Sequence, residues 1–120
     1  MSENINGNIS IIDCCIDGNE ETKIIFVDPE YNIIGIVGLI YKGKRSACLI
    51  QLFVNPEFRI KGVGTKLINT CFQLAKVEGC ETLGLLLEKG NEGARIFYSS
   101  LGFVFAYEYD NGDAIMSKVL

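Results

Sequence analysis

The sequence predicts an α/β (α+β) fold: a mixed sheet of seven strands with two main helices packed on it, in a single domain over residues 1–120. Three observations carry this expectation. The first half of the chain is a series of short apolar runs separated by turn residues. At Val63 the apolar period changes to the three-and-four spacing of a helix. A short, wholly apolar run follows that helix, as a strand parallel to its predecessor would require.

Taken in order, Ile9 to Ile16 is an isoleucine-rich strand that ends in the turn Asp17-Gly18-Asn19. Lys23 to Val27 forms a second strand, closed by Asp28-Pro29-Glu30-Tyr31-Asn32. Ile33 to Tyr41 is almost continuously apolar, which places it centrally with both faces covered. Lys42-Gly43-Lys44-Arg45 turns the chain into a fourth strand, Ala47 to Val54. From Val63 to Glu78, the residues Val63, Leu67, Ile68, Cys71, Phe72 and Ala75 form one buried helical stripe, and Gly79 ends it. Leu83 to Leu87 is the parallel strand, expected to be buried and reached by a right-handed crossover. Asn91 caps a second helix through Ser100, and Gly102 stops it. Phe103 to Tyr109 and Ala114 to Val119 make a hairpin around Asn111-Gly112.

Composition narrows the function. A net charge of −4 with scattered Lys and Arg argues against nucleic acid and mildly favours cationic partners. The hydrophobic share of 48% is high for a small domain, so a homodimer is expected to hide part of it. The longest apolar run, Ile33 to Tyr41, falls far short of the ~20 residues that cross a bilayer. Met-Ser-Glu-Asn lacks the basic start and apolar core of a signal peptide, so the expectation is a cytoplasmic protein with no membrane association. Five cysteines form an odd set without metal-ligand spacing, and there is no histidine. No metal site and no imidazole base is therefore expected, and the cysteines should behave as small hydrophobes.

The most informative segment runs from Leu49 to Lys66, where an apolar strand leads through two glycines directly into a helix. Glycines let the main chain approach a ligand closely, and a helix start offers unpaired N–H groups and the positive end of its dipole. Three glycine loops compete for these residues. The nucleotide-hydrolase type needs Gly-Lys before Ser or Thr, but here Gly64-Thr65-Lys66 reverses the order. A dinucleotide fingerprint needs a third glycine where Leu67 stands, and lacks its acidic partner further on. Arg-x-x-Gly-x-Gly after a strand ending Leu-x-Val-x-Pro fits every position from Leu52 to Gly64.

At these residues the chain resembles the GNAT superfamily of acyl-CoA N-acyltransferases. The resemblance is carried by Leu52-Phe53-Val54-Asn55-Pro56-Glu57-Phe58-Arg59-Ile60-Lys61-Gly62-Val63-Gly64 with Leu67 following. A second block is Asn91-Glu92-Gly93-Ala94-Arg95-Ile96-Phe97-Tyr98, continuing to Leu101-Gly102-Phe103, and Asn32-Ile33-Ile34-Gly35 is a third echo. It implies a mostly antiparallel seven-stranded sheet whose parallel fourth and fifth strands splay apart to admit the pantetheine arm of acetyl-CoA. In that reading Arg59, Ile60, Lys61, Gly62, Val63, Gly64 and Thr65 hold the pyrophosphate, and the N–H groups of Phe53 and Val54 face the thioester carbonyl. Asn91 would touch the pantetheine or phosphate end, and Tyr98 would be the general acid. Plainer roles stay open beside these: Asn91 as a cap alone, Tyr98 as a half-buried aromatic, Arg59 as a solvated rim charge.

The implied reaction is direct acetyl transfer from acetyl-CoA to an amine, on a small molecule, a peptide or a protein, without a metal. Two departures stand out. Many family members carry an acidic residue on the fourth strand, where this chain has Ile50 and Gln51. Glu88 is the nearest carboxylate by sequence, with a solvated surface role as its alternative. The family's two helices between its first and second strands are replaced by a turn, Asp17 to Thr22. That leaves an open acceptor face, to be completed by a second subunit or by a bulky acceptor. Both departures keep alive a rival reading, a non-catalytic acyl-CoA sensor.

Overall fold

The computed structural model describes residues 7–16, 19–43, 45–59 and 62–120. Four strands open the chain: β1 (Asn8–Ile16), β2 (Asn19–Val27), β3 (Ile33–Lys42) and β4 (Ser46–Val54). Helix α1 (Val63–Val77) leads to β5 (Thr82–Leu87), helix α2 (Glu92–Ser100) follows, and β6 (Val104–Glu108) and β7 (Ala114–Val119) close it. They make one seven-stranded sheet in the order β1-β2-β3-β4-β5-β7-β6. Every neighbouring pair is antiparallel except β4 and β5. The expected mixed sheet with its parallel pair is present.

The register decides which side chains meet α1. Ile24 pairs with Val37, and Thr22 with Leu39, so these side chains share one face. Against that face lie the fully buried Leu67, Ile68, Cys71 and Ala75 of α1, the stripe anticipated from its periodicity. Each such aliphatic side chain contributes about 1.5–3 kcal/mol by leaving water. Gly35 matters here, because a Cβ on it would press on Leu67 and Val63. Its bareness lets the first turn of α1 lie close to the sheet. Helix α2 joins the same side through an aromatic chain in which Phe72 meets Phe103, Phe103 meets Tyr98 and Tyr98 meets Phe97.

With both helices on one side, no helix covers the other face among the described residues. This corrects two expectations: β3, expected to be covered on both faces, meets a helix on one face only, and β5 is likewise open on the other. β5 is buried on one face only: Leu83, Leu85 and Leu87 are buried while Leu86 is 55% exposed. An all-apolar strand looks doubly covered in sequence, but it can equally face open surface. β2 begins at Asn19, four residues before the expected Lys23, since pairing with β1 continues to Ile16↔Asn19. Positions 17 and 18 of the anticipated turn lie outside the described residues. The cysteines split as well. Cys71 and Cys80 are buried, but Cys14 and Cys48 are only partly so and Cys15 is exposed.

Candidate active site

The parallel pairing of β4 and β5 covers only Ser46–Cys48 against Thr82–Gly84. Beyond Cys48, β4 stays paired with β3 and β5 with β7, so a gap opens between the two parallel strands toward their carboxyl ends. On the β4 side the strand carries an irregularity. Gly38 pairs with Ile50 and Ile36 with Phe53, so β4 has one residue more than β3 over that stretch. Gln51 takes up the extra residue with φ 53°, a left-handed conformation unusual for a residue with a side chain. Nothing in the sequence announces this bulge, because Gln has no preference for that region. It shifts the register of the strand just ahead of Phe53 and Val54, which the sequence singled out and which pair with Ile36 and Gly35.

Past Val54 the chain makes a 3-10 turn, Pro56–Phe58, capped by the Asn55 side chain, which accepts from the Glu57 N–H at 3.1 Å. Arg59 turns inward enough for its Nε to donate to the Val54 carbonyl at 3.2 Å, which braces the loop on the strand end. That uses one of five guanidinium donors and leaves the side chain exposed at the rim. Ile60 and Lys61, also singled out, lie outside the described residues. Gly62 is the N-cap of α1 at φ 80°, which a residue with a Cβ would adopt only at a cost of about 1–2 kcal/mol. No side chain caps this end, and the first helical bond runs from the Lys66 N–H to the Gly62 carbonyl. The N–H groups of Val63, Gly64 and Thr65 are the orphan donors of a helix start. Gly64 is buried, and a Cβ there would come within 3.3 Å of the Phe97 ring.

Asn91 caps α2, its side chain accepting from the Ala94 N–H at 3.1 Å, so its capping role is present. Its backbone N–H donates to the carbonyl of Glu88, which is exposed at the end of β5. Tyr98 is half-buried between Phe97 and Phe103, and its phenol is pushed above the ordinary value by burial, with a smaller contribution from Cys71. It remains a protonated donor throughout the neutral range. The carboxyl ends of β4 and β5, the uncapped start of α1 and the capped start of α2 converge on the same side of the gap. This arrangement fits a diphosphate: bare glycines, the N–H groups of a helix start and a cationic rim, with nothing among the described residues within 4 Å of where a Gly62 Cβ would point. A cleft of about 540 Å³ lies elsewhere, lined by Asp13, Thr22, Tyr41, Leu74 and Glu78 among others. It sits toward the carboxyl end of α1, and Glu21 is among the residues that line it.

Comparison with known proteins agrees with the geometry. The family model described as Acetyltransferase (GNAT) family matches residues 3–103. An uncharacterized N-acetyltransferase of Bacillus subtilis is 32% identical over 99 residues, 78% of this chain and 64% of that protein. Another, of Methanocaldococcus jannaschii, is 43% identical over 53 residues, 44% of this chain and 24% of its own length. The chain thus spans between about a quarter and two thirds of these curated relatives. Among solved structures, PaiA N-acetyltransferase from Thermoplasma acidophilum in complex with coenzyme A superposes with a TM-score of 0.76. It shares 24% identity, covering 83% of this chain and 61% of that one, a likeness of fold.

Proposed function

We propose, since this chain belongs to the acetyltransferase (GNAT) family, that it transfers an acetyl group from acetyl-CoA to a primary amine by direct attack in a ternary complex. The observation that supports this best is the meeting of the uncapped α1 start with the β4–β5 gap. There the N–H groups from Gly62 to Thr65 hold the diphosphate, with Arg59 at the rim. The N–H groups of Phe53 and Val54 steady the charge that develops on the thioester oxygen. Asn91 positions the pantetheine end. Tyr98 gives its proton to the departing sulfur; a phenol of pKa about 10 can protonate a thiolate of pKa about 8.5 only if the two are held together, and that positioning is what the fold contributes. Glu88, exposed beyond β5, is the weaker of the two catalytic assignments.

An acceptor of ordinary lysine basicity must first lose a proton, at a cost of about 4 kcal/mol near pH 7.5. Ile50 and Gln51 cannot receive it. This same lack favours the rival reading, a non-catalytic module that binds an acyl-CoA as a signal. Acetyl-CoA mixed with the protein and a panel of amines (spermidine, lysine, an aminoglycoside, a peptide with a free amino terminus) should release free thiol. Binding of coenzyme A without thiol release would favour the sensor, and no binding at all would remove both readings.

The protein is further proposed to act as a homodimer in the cytoplasm. Leu86, Ile115 and Tyr107 form a continuous row across β5, β7 and β6 on the uncovered face, with Leu86 and Tyr107 exposed. A two-fold contact would set this row against its own copy and wall the acceptor side.

A further inference from the structure

The uncovered face carries one ionisable group that is nevertheless withdrawn from water. Glu21, on β2, is 8% exposed. Its Oε1 forms an ion pair with Nζ of Lys23 on the same strand, at 2.5 Å, and has no further partner in hydrogen-bond geometry among the described residues. The carboxylate leans across β3 at Gly38, where a Cβ would collide with Oε1 and with Cγ1 of Ile50. The missing side chain of Gly38 is what admits it. Ile50 lies two residues past Cys48, where the pairing with β5 ends, and directly before the bulged Gln51. A carboxylate from β2 therefore stands over β3 beside Ile50, on the face that no helix covers among the described residues.

Stability gives a poor account of this placement. Burying an ion pair costs desolvation that mutual attraction offsets only with excellent geometry and further hydrogen bonds. An acceptor ammonium arriving on this open face would share Oε1 with Lys23 and add a further charge-assisted donor. We infer that Glu21 takes up the proton that the acceptor amine releases. The inference rests on the transfer reading above. In balance, Glu21 removes one proton from the ammonium, and the freed lone pair forms the N–C bond to the acetyl carbon as the C–S bond breaks. The nitrogen's second proton restores the one that Tyr98 gives to sulfur. Glu21 returns its own to water through the open face. The titratable groups on its side of the sheet are Lys23, Cys14 of β1, whose Sγ donates to the Glu21 carbonyl, Lys42 of β3, Cys48 of β4 and, farther across the sheet, Tyr107 of β6. β3 otherwise presents Ile36, Gly38 and Ile40 there.

The test compares wild type, Glu21→Gln and Glu21→Asp, using acetyl-CoA and whichever amine of the panel turns over fastest. Glu21→Gln should lower kcat/KM for the amine on the order of 100-fold or more, with coenzyme A affinity by calorimetry unchanged. The rise of kcat/KM with pH that reflects ionisation of the carboxylate should vanish in Glu21→Gln and persist in Glu21→Asp, which should recover part of the rate. Wild-type turnover in Glu21→Gln would overturn the inference alone. So would a joint loss of melting temperature and coenzyme A affinity, the mark of a structural ion pair. A wild type that binds coenzyme A but releases no thiol with any amine would overturn it together with the transfer reading.

Discussion

Tyr98 and Cys71 show how burial sets chemistry one side chain at a time. The Tyr98 ring is clamped by Phe97 and Phe103, and desolvation keeps its phenol protonated well above neutrality. Tyr98→Phe preserves the packing and deletes only the hydroxyl, so turnover should fall by ~10²–10⁴ while coenzyme A affinity stays nearly constant. Steady-state kinetics beside calorimetry checks this, and equal turnover would remove Tyr98 from the mechanism. Cys71, fully buried in α1, has its thiol pushed from 9.0 up to about 12 by desolvation. A folded-state pKa above the unfolded one means that stability is intact below pH 9 and is lost as pH rises toward about 12. The loss should approach about 4 kcal/mol. Melting curves between pH 8 and 11 should slope downward, and Cys71→Ala should flatten that slope while lowering stability at every pH.

At the scale of elements, the glycine turn and α1 act as one unit. Gly62 supplies the left-handed turn, and Gly64 lets the helix start sit against Phe97 of α2. Gly64→Val should force that ring aside, costing about 1–3 kcal/mol of stability, and should weaken coenzyme A binding because the N–H groups move with the backbone. Thermal unfolding and calorimetry read the two effects separately. A variant with full affinity would mean that the α1 start does not hold the ligand. The positions of these elements were legible in the sequence: α1 starts at the expected Val63, and Asn91 caps α2 as expected. Gly-x-Gly before an amphipathic run and Asn before a short helix are local signals with local causes. The bulge at Gln51 was not legible, since it arises from the mismatch between β3 and β4 and not from the residue's own preference.

The whole molecule is lopsided: two helices on one face of seven strands, an apolar row on the other. If a second copy covers that row, Leu86→Glu should yield a monomer by sedimentation at micromolar concentration without lowering the melting temperature much, because Leu86 is already 55% exposed. A wild-type protein that sediments as a monomer would dismiss the dimer. Periodicity, turn residues and the Arg-x-x-Gly-x-Gly loop, all readable along the chain, determined the order of elements, the parallel pair and the family resemblance. Only the tertiary structure decided that both helices share one side, that β5 is half-open, and that Glu21 reaches over Gly38 to Ile50, 29 positions away. Periodicity records that a side chain faces one way or the other. What it meets there depends on strand register and on chain distant in sequence, and no local pattern encodes that.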